Sequence, residues 1–136
     1  WFHLPLDIEA MRAGAALLVG EQDFSAFRAA ECQAKSPVKT LHRANVSRQG
    51  DCFVFDFCAS AFLHHTVRNM VGALVYIGKG AHSPGWIAKL IASRDRRLAA
   101  PTFSPSGLYL SGVEYEAHWQ LPMNGRIIAP FDPSAF

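Results

Sequence analysis

Between Phe62 and Gly72 the chain reads Phe-Leu-His-His-Thr-Val-Arg-Asn-Met-Val-Gly, a greasy segment carrying one permanent cation, Arg68, beside two histidines. On a helical period Leu63, Val67, Met70, Val71 and Leu74 share one apolar face that must be buried. His64, His65 and Arg68 are spaced to share a neighbouring stripe. Ala61 and Gly72 close that stripe with small residues, so a backbone, a base or a phosphate can approach the guanidinium. A cation so placed needs an anion, because burying it unpaired costs on the order of several kcal/mol. A carboxylate or a phosphate would serve.

Other groups carry weaker chemistry. His64 and His65 could act as bases or ligands, but an adjacent pair on a helix is more often structural. Arg28, Lys35, Lys39, Arg43 and Arg48 crowd a segment whose one acid before Asp51 is Glu31. That segment reads either as a solvated face or as a patch that follows a phosphate backbone. Arg94, Asp95, Arg96 and Arg97 read first as an ion-pair network at a helix end, and second as an RNA contact. Leu108, directly after a glycine, reads as core. Cys32, Cys52 and Cys58 are odd in number and lack C-x-x-C spacing, the pattern of reduced thiols in a cytosolic protein. Neither these cysteines nor the histidines match a structural zinc site. There is no G-x-S-x-G elbow and no glycine-rich phosphate loop, which removes the common self-contained hydrolases and nucleotide enzymes.

These residues need a frame. At 136 residues, half of them hydrophobic and 18% charged, the chain is expected to form one domain with a proper core. A net charge of +2 permits an anionic partner without demanding one. No apolar run is long enough to cross a bilayer as a helix, and no basic-then-apolar leader is expected. A first residue of tryptophan suggests an excised fragment or a processed product.

Trp1 to Leu4 is short and aromatic, as at the end of a strand. Asp7 is placed to cap a helix over 8–19, where Ile8, Met11, Ala15, Leu18 and Val19 recur at helical spacing and Gly20 follows. Residues 21–39 read as loop or short turns anchored by Phe24 and Phe27, with Pro37 breaking any regular structure. Thr40 to Ser47 and Cys52 to Ser60 form a hairpin about Gln49-Gly50-Asp51, with Phe53, Phe55 and Phe57 on one face. A long helix over 61–77 closes at Gly78, a shorter one spans 84–93, and Gly107 to Tyr115 is the last strand. Residues 1–121 make the domain and 122–136, rich in proline, a tail. Strand, helix, strand, strand, helix, strand is the split βαβ order. It gives an α+β fold, an antiparallel sheet with helices packed on one face, in a ferredoxin-like, RRM-like arrangement.

Five segments carry a resemblance. They are Gly20-Glu21-Gln22-Asp23-Phe24-Ser25-Ala26-Phe27-Arg28-Ala29, Cys32-Gln33-Ala34-Lys35-Ser36-Pro37-Val38, the run from Phe62 to Gly72, Asp95-Arg96-Arg97-Leu98-Ala99-Ala100-Pro101-Thr102, and Gly107-Leu108-Tyr109-Leu110. In this order, from about Leu4 to Leu121, the chain closely resembles the bacterial tRNA pseudouridine synthase A family. The resemblance covers only the C-terminal half of that family's enzymes. Their catalytic aspartate sits in an Arg-Thr-Asp motif near the N-terminus, and no such triplet occurs in these 136 residues.

The resemblance implies an isomerase that turns uridine into pseudouridine on the 3′ side of the tRNA anticodon stem-loop. It uses no metal and no organic cofactor. It implies that Arg68 pairs with the absent nucleophilic aspartate and that Leu108 lines the base pocket. It places Arg28, Lys35 and Lys39 along the RNA cleft, and gives His64 and His65 no chemical role. A cytoplasmic homodimer without membrane attachment is implied, and this half alone should be inactive. Two other readings stand beside it: a non-catalytic RNA-binding or dimerisation module of the same ancestry, and a small metalloprotein using the histidines and cysteines.

Overall fold

The hairpin follows from local chemistry. Gly50, at φ +61°, takes the left-handed turn conformation that a side chain resists. Gln49 then pairs with Cys52, and the ladder runs back from there. In this computed structural model, which describes residues 4–29, 36–62 and 65–110, two elements form the hairpin, β2 (Val38–Gln49) and β3 (Cys52–Ala59). They are antiparallel, with Val46 opposite Phe55 and Ala44 opposite Phe57. A register shift between Leu41 and Arg43 absorbs one extra residue on β2. Phe53, Phe55, Phe57 and Ala59 turn with Leu41, Ala44 and Val46 toward the core. Val54 faces out, and so does Asp56, paired with Arg43.

A third strand, β1 (Gly20–Asp23), pairs antiparallel with β2 from Gly20 opposite Leu41 to Asp23 opposite Val38. The loop expected over 21–39 is therefore wrong at both ends. Gly-Glu-Gln-Asp has no alternating pattern to announce a strand, and the ladder to β2 alone makes it one. Gln22 locks the edge by donating Nε2 to the carbonyls of Leu17, Leu18 and Val19. The sheet order is β1-β2-β3 among the described residues.

The helices cover one face of this sheet. Asp7 caps α1 (Ile8–Ala16) as expected, accepting from the Glu9 and Ala10 backbone N–H groups at 3.0 and 3.1 Å. The helix ends short of Gly20, which opens β1 instead. α2 (Thr66–Gly78) ends near the expected boundary, although Gly78 is itself helical and the left-handed glycine beyond it is Gly80, and it starts five residues later than Ala61. The hairpin causes this: Ser60 still donates to the Thr40 carbonyl at 2.9 Å, so the chain must reverse before a helix can begin. His65 occupies that reversal at φ 62°. It sits at the helix boundary and not on a helical stripe with Arg68. α3 (Trp86–Ser93) is entered through a turn at Ser83 and Pro84.

Met11, Ala15 and Leu18 from α1 meet Met70, Ala73, Leu74 and Ile77 from α2 and Ile87 and Leu90 from α3 over the sheet, with Phe24 and Phe27 at one side. The α+β class with a helix-covered antiparallel sheet holds. By compactness the chain divides into Trp1–Ser104 and Pro105–Phe136. Of the strand expected over 107–115, Gly107 to Leu110 lie in no strand and the rest is outside the described residues. The expected opening strand falls there too for Trp1 to His3, as does the tail boundary at 121. No described helix is long and apolar enough to cross a membrane.

Candidate active site

The first turns of α2 gather most of the chemistry. Arg68 is half-buried. Its Nε donates to the Phe103 carbonyl at 2.7 Å, and the Phe103 N–H donates back to the Arg68 carbonyl at 3.3 Å. The side chain is thus aimed by a neutral oxygen. Among the described residues no carboxylate lies within ion-pair distance of it; the pairs present are Arg12–Glu9, Arg43–Asp56, Arg94–Asp23 and Arg97–Asp95.

Phe103 belongs to a strap, residues 99–104, lying across α2. The strap can lie there because of Gly72: a Cβ at that position would stand 2.5 Å from the Pro101 carbonyl oxygen. The small residue expected to admit another backbone admits the chain's own.

Beside Arg68 on the helix, Asn69 is fully buried and its Nδ2 donates to the Phe27 carbonyl at 2.6 Å. Its Oδ1 accepts from Arg96 Nη2 at 2.9 Å and from the Thr102 hydroxyl at 2.8 Å. Arg96 also donates to the Thr102 hydroxyl at 3.1 Å and, through Nη1, to the Ala100 carbonyl at 2.8 Å. Burial draws the Arg96 guanidinium below its ordinary pKa.

Arg96 therefore leaves the ion-pair network expected of residues 94–97. Of the others only Arg97 and Asp95 stay in it, at 2.9 Å, while Arg94 turns to Asp23 at 3.5 Å. Asn69 and Thr102 were not singled out in the sequence. The signal is there for Asn69, which lies one helical repeat before Ala73 and two before Ile77 on a stripe that is otherwise core.

The remaining expected residues are distributed as follows. Arg28 directly follows Phe27, whose carbonyl Asn69 holds, and its charge reaches Asp23. Burial works to raise the Asp23 carboxyl. The Ser25 hydroxyl and backbone N–H, at 2.5 and 2.9 Å, outweigh burial together with the charges of Arg94 and Arg28, so it titrates below the ordinary value. Lys39, on β2, lines a shallow pocket with Phe24, Leu41, Phe62, Thr66 and Met70. The Thr66 hydroxyl there is buried and has no hydrogen-bond partner among the described residues. Arg28 and Lys39 thus lie near the N-terminal half of α2, as does Arg68. Lys35 and His64 lie outside the described residues. Leu108 belongs to the second compact unit, 48% exposed, its N–H donating to the Pro105 carbonyl at 3.1 Å. Among the described residues no three His, Cys, Asp or Glu side chains group to hold a metal.

Comparison with known proteins bears on this arrangement. A tRNA pseudouridine synthase A of Methylobacillus flagellatus is 67% identical over 126 residues, which is 93% of this chain and 48% of the relative. Its namesake in Aromatoleum aromaticum is 66% identical over 128 residues, 94% of this chain and 48% of the relative. That of Dechloromonas aromatica is 65% identical, over 90% of this chain and 47% of the relative. The chain spans about half the length of the curated relatives it matches. The family model described as tRNA pseudouridine synthase matches residues 15–116, a span that contains α2, the strap and Leu108, and the chain belongs to that family.

Proposed function

We propose that the full-length protein isomerises uridine to pseudouridine on the 3′ side of the tRNA anticodon stem-loop, and that Arg68 is the cation beside its nucleophile. One observation carries this reading. The Arg68 guanidinium is oriented through Nε by the Phe103 carbonyl, and no described carboxylate neutralises it. A cation aimed but not neutralised suits an aspartate that must stay ionised while a closing pocket strips its water. The nearby positive charge favours the charged form and keeps the nucleophile competent. That aspartate would come from a part of the protein outside this chain, which contains no Arg-Thr-Asp triplet.

A uracil inside a stem-loop must leave its stack to react, so the enzyme needs an apolar slot for the base and cations for the flanking phosphates. Leu108 would line the slot, and Arg28, Lys35 and Lys39 would meet the phosphates. The reaction breaks the N-glycosidic bond, turns the uracil and rejoins it through carbon, with no cofactor required. The protein would work in the cytoplasm as a homodimer, and this half by itself would form no product.

The test is Arg68→Ala in the full-length protein. Turnover of unmodified tRNA should fall by about a thousandfold or more, while tRNA binding stays within a few fold, since one charge is lost from a larger footprint. Near-normal turnover would remove Arg68 from the chemistry.

A further inference from the structure

We infer that Asn69, Arg96 and Thr102 are positioning residues that set the aim of the Arg68 guanidinium by pinning the strap on which Phe103 rides. The inference rests on the active-site reading of Arg68 only for its catalytic consequence; the pinning itself stands on geometry.

Four successive strap residues are each fixed against α2 or by Arg96. The Ala100 carbonyl accepts from Arg96 Nη1, and the Pro101 carbonyl packs over Gly72. The Thr102 hydroxyl lies between Arg96 Nη2 and Asn69 Oδ1. Phe103 exchanges bonds with Arg68 through both its N–H and its carbonyl. Arg68 and Asn69 are consecutive residues of α2. One projects to the strap's Phe103, and the other reaches the strap through Thr102 and Arg96. Asn69 is anchored in turn to the Phe27 carbonyl, so the strap is tied to the core and not to solvent.

Arg96 suits this task because its planar fork reaches three acceptors at once: Asn69 Oδ1, Thr102 Oγ1 and the Ala100 carbonyl. All three are neutral, so its fixed orientation, not ion pairing with a described carboxylate, is what the site uses. Lysine would keep the charge and lose the fork. A small displacement of a positioned catalytic group is enough to cost about a hundredfold in rate.

The experiment uses the full-length enzyme with nitrogen-15-labelled arginine side chains. The Arg68 Nε–H resonance is assigned by its loss in Arg68→Ala. In wild type it should be sharp and protected from solvent exchange. In Arg96→Lys it should broaden or exchange, with kcat lowered about ten- to a hundredfold and KM for tRNA within threefold. Thr102 is exposed, so Thr102→Val supplies a second variant that does not burden folding; it should move the same signal in the same direction, by less. An unshifted, protected Arg68 signal in both variants overturns the positioning role whatever the activity. A lost signal with unchanged kcat upholds the positioning and instead removes Arg68 from catalysis, so the two failures are told apart. A rise in KM with kcat unchanged and the Arg68 signal still protected overturns the inference in favour of tRNA contact by Arg96.

Discussion

The outer face of the β2–β3 hairpin and the strap across α2 both hold arginines, and they do so in opposite ways. On the hairpin, Arg43 meets Asp56 across the strands, Nε to Oδ2 at 2.7 Å, with both side chains about half exposed. At the strap, Arg68 and Arg96 are more deeply placed, and the described residues offer them only carbonyl, amide and hydroxyl oxygens. On that outer face the Arg43 charge is matched and the pair is open to solvent. The strap's arginines are less accessible and, among the described residues, unmatched in charge. A folded domain that needed only stability would pair the more buried cations first, since those are the costly ones. The inverted pattern is what supports the proposal of an outside anion beside Arg68.

If this contrast is real, breaking the strap's geometry should be expensive. Asn69→Leu, close in volume, removes an amide that is 0% exposed, takes the donor from the Phe27 carbonyl, and removes the acceptor shared by Arg96 Nη2 and the Thr102 hydroxyl. The expected cost is about 2–4 kcal/mol, a large share of a typical domain's stability of about 5–15 kcal/mol. Urea denaturation of the full-length protein measures it. A loss below about 1 kcal/mol would mean that water replaces the amide and that the network is less rigid than its distances indicate.

Local and long-range signals account for which parts of this were legible beforehand. Asp7 and Gly50 act within a few residues of themselves, and the sequence alone places each; Gly78 falls at the expected helix end, but it is helical, the left-handed glycine is Gly80, and what Gly78 answers to is the distant Met11. β1 is not legible in the sequence, because Gly20-Glu21-Gln22-Asp23 becomes a strand only through its pairing with β2. The apolar pattern continues through Phe62 and so predicts an earlier start for α2, while the ladder to Ser60 forces a reversal that hydrophobicity does not record. Arg68 stood out as a cation in an apolar run. Arg96 did not, since it sits among other charges and its decisive partner, Asn69, is 27 residues away. The family resemblance rested on spaced motifs spread along the chain, and it survives these local errors because it did not depend on helix boundaries.

A smaller effect probes the ground between the two regions. Asp23 titrates below its ordinary value in the folded state, so it favours folding at any pH above the unfolded carboxylate range. That contribution is lost as pH falls through the lowered folded value. Asp23→Asn should therefore reduce stability at neutral pH and flatten the acid limb of a stability-against-pH curve below about pH 4. Its bonds to Ser25 and its pairing with Arg94 tie the end of β1 to the end of α3. An unchanged acid limb would show that this tie is solvent-screened and belongs with the hairpin's pattern, not the strap's.

The smallest change is expected at the hairpin itself. Arg43→Ala breaks an ion pair whose partners are 51% and 44% exposed, and such pairs contribute about 0–1 kcal/mol. Salt should erase even that difference, since charges this accessible are screened at moderate ionic strength. Denaturation of Arg43→Ala and of wild type at low and high salt measures both points. A loss well above 1 kcal/mol that persisted in salt would place the hairpin's outer face under the same constraint as the strap. The distance of 2.7 Å between Arg43 and Asp56, equal to that between Arg68 and the Phe103 carbonyl, would then have to be read as enforced from elsewhere in the sheet, and exposure would cease to separate the two regions.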